Sequence, residues 1–348
     1  MPNPSAQGIG STAHMPIQLG DITLDPPVFL APMAGITDLP YRKLVASFGA
    51  GLVVSEMVAS QDMVNAKPAA RAKAELGFGI AASAVQLAGR DPHWMGEAAR
   101  MAEAEGARII DINMGCPAKK VTSGSGAGPC GAALLRDLSH ARAVLEAVTR
   151  AVSVPVTLKM RLGWDDACEN APQVARMAQD LGIAMLTVHG RTRAQFYKGH
   201  ANWQAIRAFR EVVDIPLIAN GDIVDAQSAT RAMAQSGANG VMVGRGAQGR
   251  PWVLRDIAAG LSGQTRADTP KGAALFQIIV RHYEDMLSFY GKTLGAKVAR
   301  KHLGWYLDAA GVGDAPRRAV LTTDDPEQVL RLLRAALTDG LAQTGCAA

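Results

Sequence analysis

Eight short apolar runs, each followed by a helix-patterned stretch, constrain this chain more than any other feature of its sequence. The runs are Val28–Ala31, Leu52–Ser55, Ala84–Leu87, Ile109–Asn113, Val156–Met160, Met185–Val188, Leu217–Ala219 and Val241–Val243. They are too short for buried helices and rich in β-branched residues, which predicts buried strands. Helix signals fill the intervals: Asp91-Pro92 opens His93–Glu105, Pro172 opens Gln173–Leu181, and Leu134–Val148 places apolar residues at helical spacing. Strand and helix in alternation imply a parallel sheet, and eight such units in roughly 250 residues match a closed (β/α)8 TIM barrel. A doubly wound open sheet is the second choice.

Strand signals stop near Leu261. From Pro270 onward Phe276, Ile279, Val280, Tyr283, Met286, Leu287 and Tyr290 keep helical spacing, as do Val329, Leu330, Leu332, Leu333 and Leu337, so a small all-helical C-terminal domain is expected after the barrel. The expected division is a flexible N-terminal tail over 1–14, the barrel over 15–261 and the helical domain over 262–348, with Ser262-Gly263-Gln264-Thr265 as linker. A chain of 348 residues, 48% hydrophobic, can bury a large core. The first residues lack the apolar core and basic start of a signal peptide, and no run approaches the length of a membrane span. Cys116, Cys130, Cys168 and Cys346 fit no metal-binding spacing and are too few for a disulfide framework, so a reducing cytoplasm is the expected compartment. No obligate protein partner is implied.

Charge adds a partner class. The excess of 36 basic over 31 acidic residues is modest and does not by itself establish nucleic-acid binding. Its distribution says more: Leu181–Arg210 holds Arg191, Arg193, Lys198, Arg207 and Arg210 without an acid, and Met286–Leu307 holds Lys292, Lys297, Arg300 and Lys301 likewise. Solvated faces are the plain account; two clusters in separate regions also fit a polyanion.

In a (β/α)8 barrel the reactive groups sit just past the C-terminal ends of the strands. That ring reads Pro32-Met33-Ala34, Glu56, Gln86, Asn113 with Cys116, Lys159 with Arg161, His189 with Arg191, Asn220-Gly221-Asp222 and Gly244-Arg245-Gly246. Folding alone does not call for polar residues at so many strand ends. Pro117 holds Cys116 extended, and an ordinary thiol, with a reference pKa of about 8.5, carries a proton to donate at neutral pH. The alternative is a small buried hydrophobe. Glycines after the seventh and eighth strands, with Arg245, predict a phosphate site. Gly244–Gly249 matches GxGxxG but ends the βα series instead of starting it, and Gly126–Gly131 repeats the pattern in a loop. Lys159 has three readings: the Schiff-base lysine of an aldolase, with its pKa lowered by Arg161; a cation facing the electron-rich end of a flavin ring; or a partner for a barrel carboxylate such as Glu56.

These residues resemble the tRNA-dihydrouridine synthases, most closely the bacterial B-type enzymes. The similarity runs from Ala31-Pro32-Met33-Ala34-Gly35-Ile36-Thr37-Asp38 through Gly244-Arg245 and extends weakly to Arg300-Lys301-His302. Its most specific element is Asp111-Ile112-Asn113-Met114-Gly115-Cys116-Pro117-Ala118-Lys119-Lys120-Val121, supported by His189-Gly190-Arg191-Thr192-Arg193 and Ile218-Ala219-Asn220-Gly221-Asp222-Ile223. The resemblance implies an FMN enzyme that reduces a tRNA uridine to 5,6-dihydrouridine at the expense of NADPH or NADH. Pro32, Met33, Ala34, Gln86, Lys159, His189, Asn220, Gly221, Asp222, Gly244 and Arg245 would hold FMN. Cys116 would give the uracil ring its proton, with Asn113 beside that base. Lys119, Lys120, Arg161, Arg191, Arg193, Lys297, Arg300 and Lys301 would meet substrate or RNA. Extruding a base from folded RNA costs a few kcal/mol, which gives the basic clusters a task. The loop from Thr122 to Gly131 is longer than the family's pattern and brings a second thiol, Cys130, near the first. The rivals are an FMN barrel reducing a free pyrimidine, as in dihydroorotate dehydrogenases, a Schiff-base aldolase on Lys159, and a non-catalytic RNA-binding barrel.

Overall fold

Why the strand runs place chemistry in a barrel lumen follows from their two-residue period. The computed structural model describes residues 15–77, 80, 82–123 and 128–338. Their strands are β1 (Ile17–Leu19), β2 (Ile22–Leu24), β3 (Val28–Leu30), β4 (Leu52–Val54), β5 (Val58–Ala59), β6 (Ser83–Ala88), β7 (Ile110–Met114), β8 (Val156–Arg161), β9 (Met185–His189), β10 (Leu217–Asn220) and β11 (Gly240–Val243). Strands β3, β4, β6, β7, β8, β9, β10 and β11 pair in that order, all parallel, and β11 closes on β3. This is the expected (β/α)8 barrel, with β5 a short extra strand beside the end of β6. The tail over 1–14 and the Gly126-Ala127 part of the second GxGxxG lie outside the described residues.

Successive side chains on a strand point to opposite faces. Val85, Leu87, Ile110, Ile112, Leu158, Met160, Leu186 and Val188 pack outward under the helices. Gln86, Asp111, Asn113, Thr157, Lys159, Thr187 and His189 occupy the alternate positions. Register then aligns Gln86 with Asp111, Asp111 with Thr157, Asn113 with Lys159 and Arg161 with His189. The lower lumen is apolar, with Phe29, Leu52, Ala84, Met185, Ile218 and Met242 in one cluster. The β1–β2 hairpin packs Ile17, Leu19, Ile22 and Leu24 into that cluster and closes the N-terminal end of the barrel. Its sequence, alternating apolar residues around Gly20-Asp21, was a legible hairpin signal absent from the eight expected runs.

Helices are capped where the sequence has acids or amides before an apolar stretch. Asp91 accepts from the His93 and Trp94 N–H groups and Asn202 from that of Ala205. The single helix expected over Leu134–Val148 is a 3-10 turn, Gly131–Arg136, followed by an α-helix over Leu138–Thr149. Asp137 divides them, because its side chain accepts from the His140 N–H and so starts a new helix. After Val253–Leu261 the chain crosses to four helices, Gly272–Tyr290, Lys292–Ala309, Asp314–Thr322 and Pro326–Thr338. Their core joins Phe276, Ile279, Tyr283, Met286, Leu303, Leu307, Val329 and Leu333 to the barrel residues Leu44 and Trp252. Tyr306 is buried there, as a core residue. Among the described residues no helix is long and apolar enough to cross a membrane, and no cluster of His, Cys, Asp or Glu could hold a metal.

Candidate active site

A cavity of about 640 Å³ opens at the C-terminal ends of the barrel strands. It is lined by every residue expected to hold FMN, together with Asn113, Cys116 and Arg161. Cys116 sits in the loop after β7 with its backbone tied at both ends. Asn113 Oδ1 accepts from the Cys116 N–H at 2.9 Å and the Gly115 N–H at 3.1 Å, and the Cys116 carbonyl accepts from the Ala132 N–H at 3.1 Å. Asn113 is itself held from below: its Nδ2 donates to Gln86 Oε1 at 2.8 Å, and Gln86 Nε2 to Asp111 Oδ2 at 2.6 Å. Thr157 Oγ1 completes the chain with a 2.6 Å bond to Asp111 Oδ1. Burial pushes the Asp111 carboxyl up to about 6, against the lowering influence of the Thr157 and Gln86 hydrogen bonds and the Lys159 charge. Cys130, half-buried nearby, has its thiol pushed up to about 11 by burial and by Cys116.

Cations crowd the side of the cavity built by β8 to β11. Lys159 Nζ donates to Asn220 Oδ1 at 3.0 Å, and Asn220 Nδ2 to the Met242 carbonyl at 2.8 Å. Burial, helped by Arg161, brings the Lys159 ammonium down to about 8, and burial brings Arg161 down to about 10. Lys159 thus hydrogen-bonds an amide, and the barrel carboxylate whose charge it feels is Asp111 and not Glu56. Burial and the four cations Arg161, Lys159, Arg191 and Arg245 drive His189 well below its ordinary pKa, so its imidazole is neutral. With Arg191 Nη1 donating to His189 Nε2 at 3.1 Å, the ring proton belongs on Nδ1. Asp222 answers part of this charge, pairing with Arg191 at 2.6 Å and Arg245 at 3.4 Å. Its burial acts against ionisation, yet the Arg191 hydrogen bond, the Ala201 N–H and the two guanidiniums hold it below the ordinary carboxylate range. Its backbone, at φ 54°, is left-handed, an uncommon state for a residue with a side chain and one that clusters at functional sites.

The net positive charge of this wall fits an anionic group such as the FMN phosphate, and so does the backbone. A Cβ on Gly244 would meet nothing nearer than 3.7 Å, so this glycine leaves space in the cavity for a ligand. The next two glycines of that GxGxxG are packing residues: a Cβ on Gly246 would lie 2.6 Å from the Ile223 carbonyl oxygen, and one on Gly249 2.3 Å from that of Trp305.

Several basic residues expected at RNA have internal partners. Arg191, 1% exposed, donates to the Lys198 and Gly199 carbonyls besides Asp222 and His189. Arg161, 2% exposed, donates to the Gly115, Thr192 and Phe196 carbonyls while its side chain borders the cavity. Neither lies on an outer face where it would meet a phosphate backbone. Arg193 bonds Thr122 Oγ1 at 3.0 Å and lies over Trp164, tying its loop to the short helix Lys119–Thr122 after the cysteine. Arg300 pairs with Asp324 at 2.5 Å, and Lys301 Nζ donates to the Gly35 carbonyl. Lys119, Lys120 and Lys297 are exposed. The cavity also takes in Met57, Phe196, Tyr197, Gln248 and Arg250, which sequence reasoning missed. Phe196 and Tyr197 are 43% and 45% exposed, with Arg161 and Arg245 over the Tyr197 ring. Two adjacent aromatics inside the acid-free basic segment after β9 were the signal for them.

A closed parallel barrel with a thiol and a cationic wall at its strand ends defines a (β/α)8-barrel enzyme. Solved structures share that fold: a histamine dehydrogenase from Rhizobium sp. 4-9 superposes with a TM-score of 0.53 at 12% identity, over 78% of this chain and 50% of that one. An old yellow enzyme homologue from Zymomonas mobilis does so with a TM-score of 0.50 at 16% identity, over 74% of this chain and 94% of that one. Sequence is more specific, because the dihydrouridine synthase (Dus) family model matches residues 29–341. A probable tRNA-dihydrouridine synthase from Rhodobacter capsulatus is 56% identical over 328 residues, 93% of this chain and 99% of that protein. A tRNA-dihydrouridine synthase B from Xanthomonas campestris pv. campestris is 43% identical over 318 residues, 91% of this chain and 95% of that protein. The chain belongs to the dihydrouridine synthase family.

Proposed function

We propose that this protein reduces a uridine of tRNA to 5,6-dihydrouridine, with FMN as resident cofactor and NADPH or NADH as reductant, in a reducing cytoplasm. The observation that carries the reading is one cavity shared by a thiol tied at both its peptide groups and a wall of cations around a glycine backbone. FMN, when bound, supplies the reducing equivalents that saturate the C5=C6 bond of uracil. Gly244 and Arg245 suit its phosphate by close backbone approach and charge, and Lys159 and neutral His189 offer donors to its polar edge. Cys116 delivers the proton from Sγ to the ring carbon, a general-acid role that needs the thiol to be both protonated and placed. Asn113 does the placing, through Oδ1 and the Cys116 N–H. Phe196 and Tyr197 give the mouth apolar faces against which an extruded base can lie. The exposed lysines, Lys119, Lys120 and Lys297, offer charge to RNA phosphates.

The test is incubation of purified protein with FMN, NADPH and unmodified tRNA, followed by mapping of dihydrouridine by position. The expected result is a yellow protein and product at defined positions. Colourless protein that cannot be reconstituted with FMN overturns the reading.

A further inference from the structure

Two walls of the cavity lean on the C-terminal helices and not on the barrel alone. The loop after β3 lines the cavity with Pro32, Met33 and Ala34, then turns at Gly35, whose φ of 72° is left-handed. Gly35 is gripped at both of its polar backbone groups: its N–H donates to Glu56, 5% exposed beyond the end of β4, and its carbonyl accepts from Lys301 Nζ of helix Lys292–Ala309. On the other side of that helix's contact, the Trp305 carbonyl lies so close to Gly249 that no Cβ fits between them. Nearby, Tyr41 donates to the Ala247 carbonyl at 2.6 Å, and Tyr290 to Asp38 Oδ2 at 2.9 Å. One helix thus backs both the loop bearing Met33 and the segment following Gly244.

The turn is closed locally by the Ile36 and Thr37 N–H groups donating to the Met33 carbonyl and by the Met33 N–H donating to Thr37 Oγ1, but these bonds bypass Gly35, whose own N–H and carbonyl are met by the two opposite charges from outside. We infer that Lys301 and Glu56 are positioning residues of the cofactor cavity, which make docking of helix Lys292–Ala309 the step that completes its wall. The role deepens the FMN reading proposed above and rests on it. It also gives Lys301 a different task from the RNA contact expected from its place in a basic cluster.

The test compares the full-length wild type with Lys301→Ala, Lys301→Arg and Glu56→Ala, all as apoprotein. FMN affinity is read from quenching of free flavin fluorescence, and tRNA affinity by filter binding across a salt series. Loss of one charge-assisted hydrogen bond that shapes the wall is expected to weaken FMN binding ~10-fold in the two alanine variants. Lys301→Arg restores it, tRNA affinity and its salt slope stay at the wild-type values, and the thermal midpoint of the apoprotein is kept. Lys301→Met, which retains the aliphatic stem, repeats the measurement if the alanine variant fails to fold. Unchanged FMN affinity in the folded Lys301 variants overturns the inference, and a tRNA salt slope smaller by about one identifies Lys301 as a phosphate contact instead. A wild type that binds no FMN defeats the proposed function itself, which keeps the two failures distinct.

Discussion

Asn113→Ala is the sharpest test of how the thiol is held. The side chain, 8% exposed, makes three hydrogen bonds between nitrogen and oxygen, Oδ1 accepting from the Gly115 and Cys116 N–H groups and Nδ2 donating to Gln86 Oε1, besides a long 4.0 Å bond from Nδ2 to Met57 Sδ. A buried hydrogen bond contributes on the order of 1 kcal/mol net, and each partner left unpaired adds a desolvation cost, so a loss of about 3 kcal/mol is expected. At roughly 2 cal/mol/K per residue of unfolding entropy, that lowers the melting point of a chain this size by about 4 °C. The catalytic effect should be larger than the structural one. Freed of its anchor, Cys116 moves relative to the substrate, and a misplacement of about 1 Å costs on the order of 100-fold in rate. Stopped-flow spectroscopy separates the two halves of the reaction. Reduction of the flavin by NADPH should fall by no more than about 10-fold, the loss of one hydrogen bond's support at Gln86, because no side-chain bond of Asn113 reaches the Lys159–Asn220–Met242 side, whereas tRNA-dependent reoxidation should fall about 100-fold. Unchanged reoxidation with a lowered melting point would refute the placing role and leave Asn113 a purely structural residue.

Cys116→Ala should retain flavin reduction by NADPH while uridine reduction drops about 100-fold or more, the usual contribution of a positioned general acid; an unaffected second half-reaction removes the thiol from its role. Lys159 titrates near 8, so capture of FMN by the apoprotein should weaken as pH rises from 7 to 9, checked by fluorescence titration, and Lys159→Met should abolish that dependence. The stability effect has the opposite sign: from about pH 8 to the ordinary lysine value the unfolded chain binds a proton that the folded one has released. Lys159 therefore adds stability to the apoprotein as pH rises through that window, measurable as a melting point that the Met variant does not share. Affinity for tRNA should fall steeply between 50 and 200 mM salt, by about tenfold or more if several phosphates are contacted, and a flat response argues against an RNA substrate.

The barrel was legible because its determinants are local. A buried parallel strand needs a short run such as Val156–Met160, and a helix needs a cap such as Asp91 before an apolar stripe; both are written in consecutive residues. All eight runs became barrel strands within a residue or two of their expected ends. The cavity ring was legible for the same reason, since a position just past a strand end can be read along the chain. The β1–β2 hairpin lies outside the eight runs because its apolar residues alternate with exposed ones around Gly20-Asp21 instead of forming a continuous run. The one-helix reading of Leu134–Val148 failed at Asp137, where a side-chain cap outcompeted helical continuity.

What the chain could not declare is which charge faces which partner. Arg191 and Lys297 look alike in a basic stretch, yet one is enclosed by His189, Asp222 and two carbonyls while the other is in water. Lys301 and the Gly35 carbonyl are 266 positions apart, and only the docking of helix Lys292–Ala309 on the barrel brings them together. Fold, family and the thiol at the end of the fourth barrel strand can all be read along consecutive residues. Tertiary structure alone decided that Cys116 is held through Asn113, Gln86, Asp111 and Thr157, residues on three neighbouring strands. The physical reason is range: strand formation and burial follow from neighbours along the chain. The hydrogen bonds that aim a thiol depend on register between strands, which exists only once the barrel has closed.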